Sequence, residues 1–145
     1  MSDPTPYRIV LADDHAMLRQ DLRKMLAERK GLEVIGEVAD GLELLDLLQI
    51  TKLAPDMVIV DVTMPNLGGI EATRRIKATY PDIKVLILTI HREREYLSRA
   101  FSAGANGYLL KEESDTELFS AIEMVRKGGV YVSPLLSGNP INREN

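Results

Sequence analysis

Pro55-Asp56-Met57-Val58-Ile59-Val60-Asp61 sets four consecutive apolar residues between a helix-stopping proline and a carboxylate. A run that short, without polar alternation, reads as a strand buried on both faces, as in parallel sheets covered by helices on each side. The pattern recurs in both directions along the chain. Toward the N-terminus, Arg8-Ile9-Val10-Leu11-Ala12 ends in Asp13-Asp14, and residues 33–38 form a second such run. Toward the C-terminus, residues 83–89 end in Thr89 and the short run 107–111 ends in Lys111.

Between these runs the apolar residues recur at helical spacing. Leu18, Leu22, Met25 and Leu26 mark a helix over residues 16–29, and Leu44, Leu45, Leu47 and Leu48 mark one opened by Asp40-Gly41. Ile70 and Ile76 face inward from residues 70–80, and Leu97, Ala100 and Phe101 from residues 92–103. Leu118, Ile122 and Val125 belong to a last helix. Asp14 is suited to cap the first helix, and Ser114-Asp115-Thr116-Glu117 reads as a capping box for the last. Gly31, Gly104 and Gly128-Gly129 stop helical pattern. Strand then helix, five times over, predicts an α/β fold: a doubly wound, five-stranded parallel sheet with helices on both faces. Residues 130–145 read as an extended tail or linker.

The chain has 145 residues, 45% of them hydrophobic and 28% charged, which suits one ordinary globular domain. It has no cysteine, so disulfides, thiolate catalysis and zinc–thiolate sites are excluded. The net charge of -4 argues against a nucleic-acid-binding face on this segment. No apolar run is long enough to cross a bilayer, and the polar, proline-rich start has no signal-peptide core, so a cytoplasmic protein without membrane contact is expected.

In an open parallel sheet, ligands bind outside the carboxyl ends of the strands. Here those ends carry Asp13 and Asp14, Asp61, Thr89 and Lys111: three carboxylates, a hydroxyl and an ammonium. Taken singly, Asp14 could be only a cap, Thr89 a β-branched strand residue and Lys111 a solvated charge. Asp61 resists such a reading, because an unpaired charge after four apolar residues is costly. Three carboxylates cannot all stay ionised together without a counter-charge. Mg²⁺ would supply one, since it takes carboxylate and carbonyl oxygens at about 2.0–2.1 Å. A carboxylate can also accept a phosphoryl group as an aspartyl phosphate, with a lysine paired to the phosphoryl oxygens.

Leu-Ala-Asp-Asp-His (11–15), Pro-Asp-Met-Val-Ile-Val-Asp-Val-Thr-Met-Pro (55–65), Leu-Thr (88–89) and Gly-Ala-Asn-Gly-Tyr-Leu-Leu-Lys (104–111) together make the chain resemble the receiver domain of bacterial two-component response regulators. The resemblance implies a flavodoxin-like (CheY-like) sheet of order 2-1-3-4-5. It implies that Asp61 is the phosphoacceptor and that Asp13, Asp14, Asp61 and the Thr63 backbone carbonyl hold Mg²⁺, Asp14 directly. It makes Thr89 the switch hydroxyl, Tyr108 the switch aromatic that turns inward, and Lys111 the salt-bridging lysine. Asp-Asp-His, Gly-Tyr-Leu-Leu-Lys and Gly-Gly-Val-Tyr-Val-Ser-Pro are similar to the NarL/FixJ, or LuxR-type, branch. That branch implies a disordered tail at 1–6, a receiver at 7–132, and at 133–145 the start of a linker to a helix-turn-helix output domain absent from this chain. The implied partners are a sensor histidine kinase, a second copy when phosphorylated, and DNA through the output domain alone. The last helix, residues 114–127, is the candidate dimer face by the same resemblance.

Two residues depart from the family pattern: Ile90 stands where a small residue is common, and its bulk would restrict access, while Glu112 stands where many receivers have proline. Other readings fit less well. A haloacid-dehalogenase-type phosphatase would place its nucleophile strand before the acidic pair, the reverse of the order here. A flavin carrier would want a Ser/Thr/Gly-rich phosphate loop where Asp13-Asp14-His15 stands. A receiver-like module working by protein contact alone would have no need of Asp13, Asp14, Asp61, Thr89 and Lys111 together.

Overall fold

A computed structural model describes residues 5–50 and 54–137. Strands and helices alternate as β1 (Tyr7–Ala12), α1 (Ala16–Ala27), β2 (Leu32–Val38), α2 (Gly41–Ile50), β3 (Met57–Val60), α3 (Gly69–Thr79), β4 (Lys84–Thr89), α4 (Arg94–Ser102) and β5 (Gly107–Leu110). A 3₁₀ turn (Lys111–Glu113) leads into α5 (Ser114–Arg126), followed by β6 (Tyr131–Val132) and α6 (Pro134–Ser137).

The sheet is wholly parallel, in the order β2-β1-β3-β4-β5-β6. Sequence reading expected five strands, and the sixth is a correction. It has only two residues, Tyr131 beside Gly107 and Val132 beside Tyr108, too few to show any periodicity. Ser133 follows it fully buried: its N–H donates to the Tyr108 carbonyl at 2.9 Å, and its Oγ accepts the Leu110 N–H at 2.8 Å. The expected tail from residue 130 is therefore part of the domain as far as Ser137. The rest of the proposed linker, residues 138–145, and residues 1–4 of the proposed tail lie outside the described residues.

Side chains alternate across each strand, so every strand feeds two cores. Val10, Ala12, Val58, Val60, Val85, Ile87, Tyr108 and Leu110 pack against α2, α3 and α4. Ile9, Leu11, Met57, Ile59, Leu86, Leu88 and Leu109 pack against Leu22 and Leu26 of α1 and Leu118, Ala121, Ile122 and Val125 of α5. Burial on both sides is why Met57–Val60 carries no polar residue.

The helix ends differ from the sequence reading. His15, not Asp14, is the N-cap of α1, and it makes no side-chain cap. Ser114 is the first residue of α5, and its hydroxyl donates back to the Lys111 carbonyl at 2.8 Å, while the Glu117 carboxylate accepts from the Tyr131 hydroxyl at 2.5 Å. The expected capping box does not form because the 3₁₀ turn takes the Ser114 hydroxyl and Tyr131 of β6 takes the Glu117 carboxylate. A reciprocal cap stands instead at α2. Asp40 Oδ1 accepts the Glu43 N–H at 2.8 Å, and Glu43 Oε1 accepts the Ala39 N–H at 2.9 Å. Asn66, in the left-handed region at φ 68°, donates its amide to Asp40 Oδ2 at 2.7 Å. The Glu43 N–H, and next the Asn66 amide, hold the Asp40 carboxyl below its usual value. The loop after β3 is thereby tied to the start of α2.

The first residue of α3 comes against the last turn of β3. A Cβ at Gly69 would overlap the Asp61 carbonyl oxygen, so only glycine permits this approach. Gly69→Ala is expected to lower stability by at least about 1–3 kcal/mol, the usual cost of overpacking against rigid backbone. Urea unfolding reads it; a wild-type midpoint would show that α3 can shift away from β3 freely.

Candidate functional site at the carboxyl edge of the sheet

Parallel register decides which residues meet. Ala12 pairs with Val60, so the residues that follow, Asp13 and Asp61, leave the sheet side by side. Thr89 pairs with Leu110, which brings the β4 hydroxyl and Lys111 to the same edge. Asp13 and Asp61 are almost wholly buried, at 3% and 4% exposed. The Lys111 ammonium lies between them, 3.0 Å from Asp13 Oδ2 and 2.9 Å from Asp61 Oδ2. Burial alone would pull the ammonium below its ordinary lysine value, but hydrogen bonds and charge from Asp61 and Asp13 outweigh it, and the net shift is upward.

Asp14 and His15 complete the edge. One ligand atom from each of Asp13, Asp14, His15 and Asp61 falls within 4.8 Å of the others. Three carboxylates against one ammonium leave two formal negative charges, which a divalent cation would balance. The donor set therefore fits Mg²⁺, with oxygen ligands already gathered. An open pocket of about 240 Å³ lies over this cluster, lined by Asp14, His15, Asp61, Thr63, Ile90, His91 and Lys111. Ile90 is part of its wall yet stays 68% exposed, so its bulk narrows the mouth without sealing it.

Thr89 and Tyr108 stand behind that rim, both fully buried. The Thr89 hydroxyl accepts the His91 N–H at 3.3 Å, and the Tyr108 hydroxyl donates to the His91 carbonyl at 2.8 Å. Tyr108 thus already points inward, and burial raises its phenol well above the usual value. The His91 ring stacks on Tyr96 with centroids 4.2 Å apart, and its Nε2 lies 2.8 Å from Thr63 Oγ1. Of the sequence-derived site, Asp13, Asp14, Asp61 and Lys111 come together, Thr63 joins them in the pocket wall, and Thr89 and Tyr108 form a second layer joined through His91. Sequence reasoning missed His15 as a member of the acidic cluster and His91 as a hub. Their adjacency to the Asp13-Asp14 pair and to Thr89 was the available signal.

A doubly wound sheet with buried carboxylates and a lysine converging on its carboxyl edge defines the class: a parallel α/β domain with a cation- and phosphate-compatible acidic site. The chain belongs to the response regulator receiver domain family, whose model matches residues 9–123. It is 38% identical over 134 residues to the transcriptional regulatory protein DegU of Brevibacillus brevis, covering 92% of this chain and 56% of DegU. It is 40% identical over 130 residues to the response regulator GacA of Pseudomonas protegens, covering 90% of this chain and 60% of GacA. The chain thus spans little more than half the length of these relatives. Among solved structures, a LuxR-family two-component response regulator from Aurantimonas sp. superposes with a TM-score of 0.88 at 36% identity, covering 97% of this chain and 99% of that one. The isolated receiver domain of RcsB from Salmonella enterica, solved with the phosphomimetic BeF₃⁻, superposes with a TM-score of 0.84 at 27% identity, covering 92% and 97%. These relatives are regulators of the NarL/FixJ/LuxR branch.

Removing the lysine tests the electrostatics. In Lys111→Met, Asp13 and Asp61 face each other without a counter-charge, and breaking such a buried pair costs about 3–5 kcal/mol. A divalent ion, which would neutralise the same two carboxylates, should reduce the loss. In the wild type, the raised lysine value means that this ammonium's contribution is intact below about pH 10.4 and is lost only as pH rises through the higher folded value. Urea titrations with and without Mg²⁺, and across alkaline pH for the wild type, check both; a deficit unchanged by the ion would assign the loss to packing.

Proposed function

We propose that this receiver domain takes a phosphoryl group from a histidine of a sensor kinase onto Asp61, and that the resulting charge switches its conformation. The observation that carries this is the Lys111 ammonium held between Asp13 Oδ2 and Asp61 Oδ2 at the end of β3. An Asp61 oxygen attacks phosphorus in line: the new P–O bond forms as the P–N bond to the donor imidazole breaks, and that imidazole leaves and picks up a proton. Lys111 then holds the phosphoryl oxygens as a fixed positive charge. Asp13, Asp14, Asp61 and the Thr63 carbonyl would hold Mg²⁺, which offsets the charge of the transferring group. The domain accepts a group and turns over no separate substrate.

The readout runs through Thr89. Its hydroxyl oxygen accepts the His91 N–H, and a phosphoryl oxygen above Asp61 would accept that hydroxyl's own proton and pull it toward the site. Drawing Thr89 toward the phosphoryl group loosens the His91 backbone, which also anchors the Tyr108 hydroxyl. Two arrangements of β4, α4 and β5 would then differ in population with phosphorylation. Transcriptional control is supported by the relative DegU, which is named a transcriptional regulatory protein; homodimerisation in the cytoplasm and DNA binding through a further domain belong to the same proposal. α5 is the candidate dimer face.

Phosphorylation by acetyl phosphate or phosphoramidate, followed by intact mass, tests the reading. One phosphoryl mass should appear with Mg²⁺, be largely absent without it, and be absent from Asp61→Asn. A folded wild type that binds Mg²⁺ yet gains no mass would favour a phosphorylation-independent interaction module.

A further inference from the structure

Arg92 and Glu112 lie outside the acidic cluster and take no part in the chemistry above, yet they join the two loops that flank it. Arg92 stands in the loop between β4 and α4, next to His91. Glu112 stands in the 3₁₀ turn after β5, next to Lys111. The Arg92 Nε donates to Glu112 Oε1 at 3.0 Å, and its Nη2 donates to Glu112 Oε2, so the guanidinium and the carboxylate meet as a two-bond fork. Glu112 departs from the proline common at this place, and it has a partner that proline could not hold.

The fork is the outer of two anchors on one stretch of backbone. From inside the domain, the Tyr108 hydroxyl donates to the His91 carbonyl at 2.8 Å, and that carbonyl belongs to the peptide joining His91 to Arg92. From outside, Glu112 holds the Arg92 side chain. Both anchors come from β5 and the turn that follows it, the segment that also carries Lys111. The loop that follows Thr89 is therefore tied twice to the segment bearing the lysine. α4 restrains that loop little, since Ala100 is its one buried residue. Two parallel bonds are satisfied in one relative placement only, so a shift of the loop past the turn breaks the fork.

We propose that the Arg92–Glu112 pair is a strap that holds the β4–α4 loop to the turn after β5, and that the movement of Thr89 toward a phosphoryl group on Asp61 has to release it. The inference rests on the phosphoryl-switch reading above. A contact made in one arrangement and lost in the other biases the population toward the first. The strap thus lowers the apparent affinity for any group that draws Thr89 inward, in proportion to the fraction of molecules already released. Both side chains are about half exposed, and exposed pairs are modest, so the strap grades the response by about two- to fivefold and does not block it.

The test is titration of the whole chain, in excess Mg²⁺, with the phosphomimetic BeF₃⁻, followed by the amide NMR signals of Thr89 and Tyr108. Arg92→Gln and Glu112→Gln should each bind BeF₃⁻ about two- to fivefold more tightly than the wild type. Arg92→Gln is the decisive variant, because losing a positive charge would by itself weaken the binding of an anion, whereas losing the strap tightens it. Glu71→Gln, which breaks the exposed pairs with Arg74 and Arg75 on α3, should bind as the wild type does. Opposite effects of Arg92→Gln and Glu112→Gln, or no effect of either, would overturn the strap while leaving the switch intact. A folded wild type that does not bind BeF₃⁻, or binds it with the Thr89 signal unmoved, would overturn the phosphoryl-switch reading and this inference with it.

Discussion

One ammonium facing two buried carboxylates is the constraint around which this domain is arranged. Asp13 and Asp61 emerge from adjacent strands with almost no access to water, and water is what would otherwise dissipate their repulsion. Lys111 supplies the counter-charge from a third strand, and it can do so only if β1, β3, β4 and β5 keep their register. A slip of one residue would turn Asp13 or Asp61 toward a hydrophobic core. The close seat of Gly69 against Asp61 and the Asp40–Asn66 tether fix the loop after β3 from the other side. Fold and site are in this sense one electrostatic problem with one packing solution.

The two faces of the sheet differ in how they are held. On the side of α1 and α5 both helices bury apolar side chains, Leu22 and Leu26 from one and Leu118, Ala121, Ile122 and Val125 from the other. On the other side, α4 contributes Ala100 as its one buried residue, with Tyr96, Leu97 and Phe101 only half-buried. What holds its N-terminal approach is largely polar: His91 to Thr63, to Thr89, to Tyr108, and stacked on Tyr96. Elements with little buried apolar contact open at lower free energy than a packed core. The part of the domain placed to respond to a charge at Asp61 is also its least deeply anchored part.

Much of this was legible in the chain because strand-end chemistry survives in sequence. Five apolar runs, four of them ending in Asp13-Asp14, Asp61, Thr89 and Lys111, point to the parallel sheet, and with it to the convergence of charge at one edge. What escaped has physical causes. β6 is two residues long, too short for any side-chain period to announce it. Ser114 and Glu117 have the spacing of a capping box, but the 3₁₀ turn at Lys111–Glu113 shifts the helix start and takes the Ser114 hydroxyl, while Tyr131 takes the Glu117 carboxylate. The Asp40–Asn66 contact joins residues 26 positions apart, and neither helical nor strand periodicity reports on such a pair. His15 and His91 carry roles set by three-dimensional neighbours, which a lone histidine in sequence does not declare.

The short β6 strand has one further consequence. Without it, β5 would be the border of the sheet, and Gly107–Leu110 is a wholly buried, uncharged segment. A flat apolar border with free N–H and C=O groups is a template for pairing with another chain. Tyr131, Val132 and Ser133 close that border by occupying its hydrogen-bonding positions. These three residues therefore cover the hydrogen-bonding groups of β5, and a receiver trimmed at residue 130 would keep its acidic edge while exposing an aggregation-prone one.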